Sequence, residues 1–395
     1  MVELLFLLLP LAFYSGWNVA RKQLKKKTTK DRQLSGHFVK GVNYLLNEEP
    51  DKALEVFLNY PDIDEYTAET YHLLGNLFRN RGEVDRALRV HQNLIARANL
   101  SNSQKQKAMY SLGQDFFSAG MLDRAESVFH ELLDSNISSD KPSKAAVCQS
   151  LRIIYEQTQE WDKAIEAVEC YKKHRKKEED KSSDQNSLVS HYYCELADES
   201  LQQGNLHDVD QYLTKAKKAK KNATRILSLQ GDVALHQHQH KLAYKHYLAA
   251  IKQNSHLTGM LFNKLEISAN KTNDISGLQK QLLKLYKVDN NKTVFEKILY
   301  LAKKHQLNSK TLDKMIHDEL SNNKLNIASI YYASDYMSTN LDGINSDEGL
   351  KLIHHALKNY LQGTPAFHCT HCGYKMHDFL WRCPACHHWD TIQQN

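Results

Sequence analysis

The sequence predicts an all-α protein: a superhelical solenoid of repeated helical hairpins, with an apolar N-terminal helix and a small metal-binding knuckle at the C-terminus. Three observations support this prediction. The chain of 395 residues contains only 6 prolines and 15 glycines, the residues that interrupt helices most strongly. A pair of small residues recurs at a fixed spacing along much of the chain. Four of its 7 cysteines fall close to the C-terminus.

Residues 1–20, MVELLFLLLPLAFYSGWNVA, are largely apolar and long enough to cross the hydrocarbon core of a bilayer. No lysine or arginine precedes this stretch and no A-x-A pattern follows it, which argues against a cleaved signal peptide. We therefore predict a transmembrane anchor here. The alternative is a buried N-terminal helix, which would be expected to show a polar face.

Most of the net charge of +6 lies directly after the apolar stretch, in the run RKQLKKKTTKDRQ. Residues 21–33 are therefore predicted to be a basic juxtamembrane linker. By the positive-inside rule, this charge leaves the rest of the chain in the cytoplasm. Because the remainder is nearly neutral, no nucleic-acid partner is predicted.

A pair of small residues twelve positions apart recurs through residues 34–256 and predicts six helical hairpins. The first small residue lies on one helix and the second on the next, so that the two helices can approach closely. The pairs are Gly41/Ala53, Gly75/Ala87, Gly113/Ala125, Arg152/Ala164, Ala197/Val209 and Gly231/Ala243. This pattern resembles the tetratricopeptide repeat, whose hairpins stack into a solenoid with a concave face. Arg152 and Val209 depart from the pattern, and their hairpins are expected to pack less closely.

Residues 257–362 keep the helical periodicity but lose the small pairs, so we predict degenerate helical repeats that end the solenoid. Solenoids of this type bind other proteins in the concave groove. On the repeat geometry, the candidate partner-binding residues are His72, Asn76, Arg79, Tyr110, Gln114 and Phe117. The alternative for any one of them is a solvated face. The nucleotide-binding, serine-hydrolase and zinc-protease motifs are absent from the sequence, and we do not expect an enzyme.

The segment CTHCGYKMHDFLWRCPAC holds two C-x-x-C pairs, formed by Cys369 with Cys372 and Cys383 with Cys386. Two such knuckles, with backbone N–H groups bonding the sulfurs, complete a tetrahedral tetrathiolate suited to zinc or iron. Residues 363–395 are therefore predicted to be a metal-binding domain. A disulfide pair does not suit a cytoplasmic chain, and a redox motif would need only one C-x-x-C.

Other residues near the cysteine cluster are expected to support the metal. The histidines that crowd it are assigned to a surrounding shell, and three aromatic residues are expected to cover the ion; they are His368, His371, His387 and His388, and Phe379, Trp381 and Trp389. The isolated Cys148, Cys170 and Cys194 are interpreted as small packed residues.

The order of anchor, repeats and knuckle resembles the lipopolysaccharide assembly protein B family of Gram-negative bacteria. The resemblance is carried by LLFLLLP, by GNLFRNRGEVDRALRVHQ and by C-x-x-C-G-Y…W-x-C-P-x-C-x-x-W. It covers essentially the whole chain and is weakest over residues 257–360. His387 after the second knuckle and the charged insertion near 171–187 depart from the family pattern.

The resemblance implies an inner-membrane protein that faces the cytoplasm and restrains lipopolysaccharide synthesis. It implies an adaptor that lets the FtsH-type membrane protease degrade the deacetylase LpxC, with other lipopolysaccharide-assembly membrane proteins as further partners. It also implies a rubredoxin-like metal knuckle that packs onto the repeats, with Cys369, Cys372, Cys383 and Cys386 as ligands.

Two other functional classes stay open at this point. A membrane-tethered co-chaperone or scaffold for envelope assembly would have the same anchor and repeats. An electron carrier would use an iron centre, although the sequence supplies no second redox group. The sequence does not decide between iron and zinc, and it leaves a homodimer open.

Overall fold

The computed structural model describes residues 36–47, 49–59, 65–98, 100–135, 142–175, 182–220, 223–307, 310–321, 326–340 and 348–394. The predicted anchor (1–20) and basic linker (21–33) lie outside these ranges. Across the described ranges, no helix combines the length and the apolar character needed to cross a bilayer. The chain divides into two compact units, Met1–Asp180 and Lys181–Asn395.

The first unit consists, in its described part, of helices that pack in consecutive pairs. They are α1 (Gly36–Leu46), α2 (Pro50–Leu58), α3 (Glu65–Asn80), α4 (Val84–Ile95), α5 (Asn102–Ser118), α6 (Leu122–Asp134), α7 (Lys144–Thr158) and α8 (Trp161–His174). The hairpin partners are α1 with α2, α3 with α4, α5 with α6, and α7 with α8. Neighbouring hairpins also touch, as α4 with α5 and α6 with α7. The unit is thus a stack in which each hairpin covers an apolar face of the next.

The second unit continues the same construction and ends in a small sheet. Its helices are α9 (Ser182–Gln202), α10 (Leu206–Ala219), α11 (Thr224–His236), α12 (His240–Gln253), α13 (Thr258–Lys271), α14 (Ile275–Asp289), α15 (Lys292–Lys304), α16 (Lys310–Ser321), α17 (Ile327–Asn340) and α18 (Glu348–Gly363). The strands are β1 (Phe367–Cys369), β2 (Lys375–Met376) and β3 (Ile392–Gln394). They form an antiparallel sheet in the order β2-β1-β3, with Phe367 opposite Met376 and Cys369 opposite Ile392.

The glycine of each well-formed hairpin faces an aromatic ring sixteen residues later in the sequence. A Cβ atom added to Gly113 would lie 2.5 Å from Cε1 of Phe129, well inside van der Waals contact. Gly41 meets Phe57, Gly75 meets His91, and Gly231 meets Tyr247 in the same way. The alanine twelve residues after each of these glycines is fully buried. The close approach of the two helices in each of these hairpins therefore depends on a glycine on one helix and a ring on the other.

The two hairpins that lack the glycine carry an aliphatic residue in place of the ring. Arg152 is followed at the same spacing by Val168, which is 0% exposed, and Ala197 by Leu213, which is 5% exposed. Our expectation of looser packing there was wrong, because a smaller side chain on the second helix makes room for a larger one on the first. Val209, the other departure, is itself only 1% exposed.

The described helices between residues 257 and 340 share one continuous core with the hairpin before them. This core extends from Ala234 to Tyr336 and includes fully buried Leu261, Leu278 and Ile298. The apolar periodicity of this region is thus accounted for by burial between stacked helices. The predicted domain boundaries themselves stay predictions.

Candidate metal centre and its docking surface

The first C-x-x-C knuckle is a tight turn closed by backbone hydrogen bonds. The N–H of Gly373 donates to the carbonyl of Cys369, and the N–H of Cys369 donates to the carbonyl of Tyr374, both at 2.8 Å. Gly373 has a φ of 77°, a conformation that costs glycine little. The turn aims the sulfurs of Cys369 and Cys372 to one side, as the motif predicts.

The second knuckle repeats this geometry with one difference. The N–H of His387 donates to the carbonyl of Cys383, and the N–H of Cys383 donates to that of His388, both at 2.9 Å. His387 holds a φ of 59° at the position that Gly373 occupies in the first knuckle. A histidine in this conformation is strained relative to glycine.

The four sulfurs converge to within 4.8 Å of one another. Sγ of Cys369 lies 3.7 Å from Sγ of Cys386, and Sγ of Cys372 lies 3.7 Å from Sγ of Cys383. A tetrahedral ion with metal–sulfur bonds of about 2.3 Å separates its sulfur ligands by about 3.8 Å. The sulfur positions therefore fit a tetrathiolate metal ion. Zinc and iron are not distinguished by this spacing.

Two thiols of the cluster differ in how readily they ionise. Burial opposes ionisation of Cys369, but the Thr391 hydroxyl and backbone N–H groups lower its thiol pKa to about 6. The N–H of His388 favours ionisation of Cys386, but burial and the neighbouring thiols outweigh it and raise that pKa to about 12. These opposite shifts show that the neighbouring thiols influence one another, and a bound divalent cation would favour their thiolate forms.

The four sulfurs form a complete tetrathiolate set, and His371 and His388 lie beside it, with ligand atoms within 4.8 Å of Sγ of Cys386. The rings of His371 and His388 stack at a centroid distance of 3.7 Å. Nδ1 of His388 donates to the carbonyl of Cys386 at 3.0 Å. His368 lies on β1, where it pairs with Lys375 and Gln393 of the neighbouring strands. The assignment of all four histidines to a shell around the metal stays a prediction.

The ribbon formed by residues 367–394 docks on the helices of its own unit. Nε2 of His191, on α9, lies 3.0 Å from Oδ2 of Asp390. The His191 ring stacks on Trp389 at 4.8 Å, and Tyr192 meets the same indole edge-on. His191 is only 4% exposed. This contact joins two segments that the sequence keeps far apart.

A buried arginine completes the docking surface. The guanidinium of Arg225, on α11, lies 5.4 Å from the ring centroid of Trp381 and 5.6 Å from that of Trp389. Arg225 is 3% exposed, and its Nη2 pairs with Glu195 at 2.9 Å. A cation held between two indoles away from water gains about 2 kcal/mol or more.

The aromatic residues expected to cover the metal divide between two roles. Phe379 packs edge-on against Phe367 inside the ribbon. Trp381 and Trp389 instead face the helices, through Arg225 and His191. Gly259 on α13 leaves room for the side chain of Gln394, which a Cβ would displace. The tryptophans thus dock the ribbon on the helices, and the prediction that the three aromatic residues cover the ion stays a prediction.

The predicted partner-binding residues lie on α3 and α5, and several have partners inside the unit. Nη1 of Arg79 donates to Oδ1 of Asp115 at 2.8 Å, and its Nη2 donates to Asn76 at 2.7 Å. Asp115 is fully buried, and its other oxygen accepts from the equally buried His91. His72 is 8% exposed, and burial together with the nearby His91 lowers its pKa to about 4.

The remaining candidates of this face are half-buried. The Tyr110 hydroxyl lies 3.3 Å from that of Ser150, and its ring contacts Phe129. Gln114 and Phe117 are partly exposed on α5. The assignment of these residues to partner binding stays a prediction.

Comparisons with known proteins agree with this construction. A family model described as a rubredoxin metal binding domain matches residues 367–394, and a tetratricopeptide repeat model matches residues 70–103. Lipopolysaccharide assembly protein B of Escherichia coli K12 is 32% identical over 397 residues, covering 100% of this chain and 98% of the relative. The protein of the same name from Haemophilus influenzae is 31% identical over 402 residues, with the same coverage.

The chain belongs to the lipopolysaccharide assembly protein B family. The predicted fold class, a helical tetratricopeptide protein with a C-terminal metal knuckle, is confirmed, while its N-terminal helix lies outside the described residues. Among solved structures, MamA 41-end from Desulfovibrio magneticus RS-1 is 15% identical and has a TM-score of 0.31. It covers 48% of this chain and 95% of its own.

In this member of the family, the isolated cysteines differ from expectation. Cys148 on α7 and Cys170 on α8 form a disulfide within one hairpin. Their interpretation as packed free thiols was wrong, because the pairing of α7 with α8 brings the two sulfurs together. Cys194 is a free thiol and is 1% exposed, as expected, and burial raises its pKa to about 12.

The docking residues of this family member were missed by sequence reasoning. His191 and Arg225 read as ordinary helical residues, and their partners lie in another domain. In the structure, Arg225 is 3% exposed at an inward position of α11, where an aliphatic residue is usual, but no local pattern in the sequence marks it.

Proposed function

We propose that this chain is a membrane-anchored, non-enzymatic adaptor in lipopolysaccharide biosynthesis. The observation that carries the proposal is the full-length similarity to relatives named lipopolysaccharide assembly protein B. Stacked tetratricopeptide hairpins present extended surfaces that suit protein partners, which agrees with an adaptor.

Within that role, the chain promotes degradation of the deacetylase LpxC by an FtsH-type membrane protease. An adaptor of this kind needs one surface for the protease and another for the substrate. The α3–α5 face and the docked ribbon are two separate surfaces of the chain, one in each unit. Other lipopolysaccharide-assembly membrane proteins are further partners in this proposal.

The predicted anchor at residues 1–20 holds the adaptor beside its protease. Confinement to the inner membrane raises the effective concentration of one partner near the other without any new contact. Membrane fractionation of the full chain and of a chain beginning at residue 34 tests this part. Recovery of both in the soluble fraction would contradict it.

The metal has a structural part in this function. It holds two knuckles together, and Trp389 and Asp390, which follow the second knuckle, dock the ribbon on α9. A small module of this kind depends on its ion for folding. Loss of the ion should therefore release the ribbon from the helices and remove a partner surface.

The half-exposed residues of the α3–α5 face form the proposed partner-binding surface. Gln114 and Phe117 are the sharpest probes, because His72 and Arg79 also stabilise the fold. The double substitution Gln114→Ala/Phe117→Ala should reduce recovery of LpxC or FtsH in a pull-down from membranes. A matched change outside the face, Gln92→Ala/Met121→Ala, serves as the control. Equal recovery with both variants would contradict the assignment.

The experiment that tests the adaptor is the half-life of LpxC after protein synthesis is blocked, in cells that retain FtsH. Depletion of this chain should lengthen the half-life, and the intact chain should restore it. Cys369→Ser/Cys372→Ser should fail to restore it, whereas Cys372→His, which keeps a metal ligand, should restore it at least in part. An unchanged half-life on depletion would contradict the adaptor and favour a scaffold.

A further inference from the structure

Two cysteines outside the metal centre lie together in one hairpin of the first unit. Cys148, on α7, is 0% exposed, and Cys170, on α8, is partly exposed and bonded to it. They are separated by 22 positions in the sequence. One sulfur of the pair is thus reachable from solvent while the other is enclosed.

A histidine lies beside the reachable sulfur. Nδ1 of His174, one turn after Cys170 on α8, lies 3.0 Å from the Cys170 carbonyl and 3.8 Å from its Sγ. Because a carbonyl can only accept, Nδ1 carries a proton, and that N–H also faces the sulfur. Lys172 and Lys173 share the same last turn of the helix. Donors and cations next to a thiol favour its thiolate, which is the reactive form.

The other cysteines of the described chain are arranged differently. Cys369, Cys372, Cys383 and Cys386 point at one another and suit a metal ion. Cys194 is enclosed, and burial raises its pKa to about 12, which keeps it protonated and unreactive. The pair in α7 and α8 is therefore the one suited to redox chemistry among the described cysteines.

We propose that Cys148 and Cys170 are a reversible dithiol–disulfide pair that reacts with hydroperoxides. The Cys170 thiolate attacks the peroxide oxygen, the O–O bond breaks, and an alcohol or water leaves after protonation, giving a Cys170 sulfenic acid. The Cys148 sulfur then attacks the Cys170 sulfur, the S–O bond breaks, and water leaves. A dithiol reductant reverses the change by thiol–disulfide exchange, becoming a disulfide itself.

The pair has a defined mechanical effect on its hairpin. The disulfide ties α7 to α8 near the end of the first unit, so it opposes separation of the two helices. Closing a loop of this length limits the open states of the hairpin. Amide hydrogen exchange in α8 should therefore be about tenfold slower in the oxidised chain than in the reduced one.

The test uses the full-length, metal-loaded chain, reduced with dithiothreitol, freed of reductant and exposed to one equivalent of hydrogen peroxide. Alkylation and peptide mass mapping should show a Cys148–Cys170 bond that forms before any of the four metal ligands is oxidised, and that dithiothreitol removes. Cys148→Ala should stop at a Cys170 sulfenic acid, which dimedone traps. This variant replaces one small buried residue with another, and circular dichroism checks that it is folded.

The rate of Cys170 oxidation tests the role of His174. His174→Ala should slow oxidation of Cys170 at pH 7 by about three- to tenfold, and His174→Lys, which places another N–H donor at this position, should recover part of the loss. Lys252→Ala, a change in the last turn of another helix, should leave the rate unchanged. Oxidation of the metal ligands first, or binding of one zinc ion by the reduced Cys148, Cys170 and His174, would overturn the proposal.

Discussion

Nε2 of His191 lies 3.0 Å from Oδ2 of Asp390, across 199 positions of sequence. This contact fixes the metal-binding ribbon to helix α9, next to the stacked pair of His191 and Trp389. Partial burial would raise the pKa of the Asp390 carboxyl, but the hydrogen bond from His191 and the charges of Lys220 and Arg225 hold it below its ordinary value. The ionised carboxylate is therefore the form that docks the ribbon.

Asp390→Asn should weaken ribbon docking by about 0.5–1 kcal/mol, because it removes the charge of a hydrogen-bonded carboxylate that is 44% exposed and therefore partly screened by water. Since the pKa of Asp390 is lowered on folding, its contribution is present above the ordinary carboxyl pKa and is lost as pH falls through the lowered value. The measurement is hydrogen exchange over residues 379–392 at pH 7. Asp378→Asn, the same change at an exposed position of the ribbon, is the control. Equal protection in both variants would contradict the docking role.

The metal ligands were predictable from the sequence, whereas the docking surface was not. Cys369 and Cys386 belong to one short segment whose spacing alone defines a tetrathiolate. His191 and Arg225 meet their partners only after the hairpins have stacked, and no local pattern marks them. Long-range polar contacts of this kind leave no periodic pattern in the sequence, whereas the apolar face of a helix does.

The hairpins could be predicted from the sequence only in part. The small pairs, such as Gly113 with Ala125, predicted the helices and their pairing. The ring sixteen residues after each glycine was equally readable, and its replacement by Val168 and Leu213 explains how two hairpins tolerate larger residues on the first helix. Propensity alone did not show this compensation, because it depends on two residues that face each other across the hairpin.

Gly113→Ala should lower the free energy of unfolding of the first unit by about 1–3 kcal/mol, since the new Cβ would lie 2.5 Å from the ring of Phe129. Phe129→Leu should also destabilise the unit, by leaving a cavity. The double variant should cost at least about 1 kcal/mol less than the sum, because it recreates the Ala197 and Leu213 arrangement. Urea unfolding of all three variants gives the coupling energy.

The control for this cycle is Gly363→Ala, whose added Cβ meets no atom within 4 Å. It should change stability by less than about 0.5 kcal/mol. Strict additivity of Gly113→Ala and Phe129→Leu would contradict the steric relationship, because independent sites show no coupling.

Glu296→Gln should make the second unit more stable above pH 6, by about 2 kcal/mol at most. Glu296 is 2% exposed and accepts a hydrogen bond from Ser329 at 3.0 Å. Burial raises its pKa to about 6, so the folded chain binds this proton more tightly than the unfolded chain does. The wild-type chain therefore loses stability as pH rises from the ordinary carboxyl pKa through about 6. Glutamine keeps the hydrogen bond and removes this loss.

The measurement is the free energy of unfolding of both chains between pH 4.5 and 7.5. The two curves should converge at the acid end and separate above pH 6. Asp289→Asn, an exposed carboxylate-to-amide change at the end of α14, should run parallel to the wild type. A constant difference between Glu296→Gln and the wild type across this range would argue against a titrating Glu296.

Substitutions at the matching positions of the two knuckles, His387→Gly and Gly373→His, should have opposite effects on the stability of the ribbon. His387 holds a φ of 59° where its counterpart Gly373 has 77°, and a left-handed conformation costs a non-glycine residue about 1–2 kcal/mol. His387→Gly should stabilise the ribbon by about 0.5–1 kcal/mol, after the greater freedom of glycine in the unfolded chain is deducted. Gly373→His should destabilise it by about 1–2 kcal/mol. The expected consequence is slower metal loss in the first variant and faster loss in the second.

Metal release to an excess of chelator measures both variants on the full chain. His387→Gly should lengthen the half-time about threefold, and Gly373→His should shorten it by about tenfold, since each 1.4 kcal/mol corresponds to a factor of ten. His377→Gly, at an exposed ribbon position outside the knuckles, controls for the loss of a histidine. If His387→Gly instead hastened metal loss, the His387 side chain would have a stabilising contact that outweighs its backbone strain.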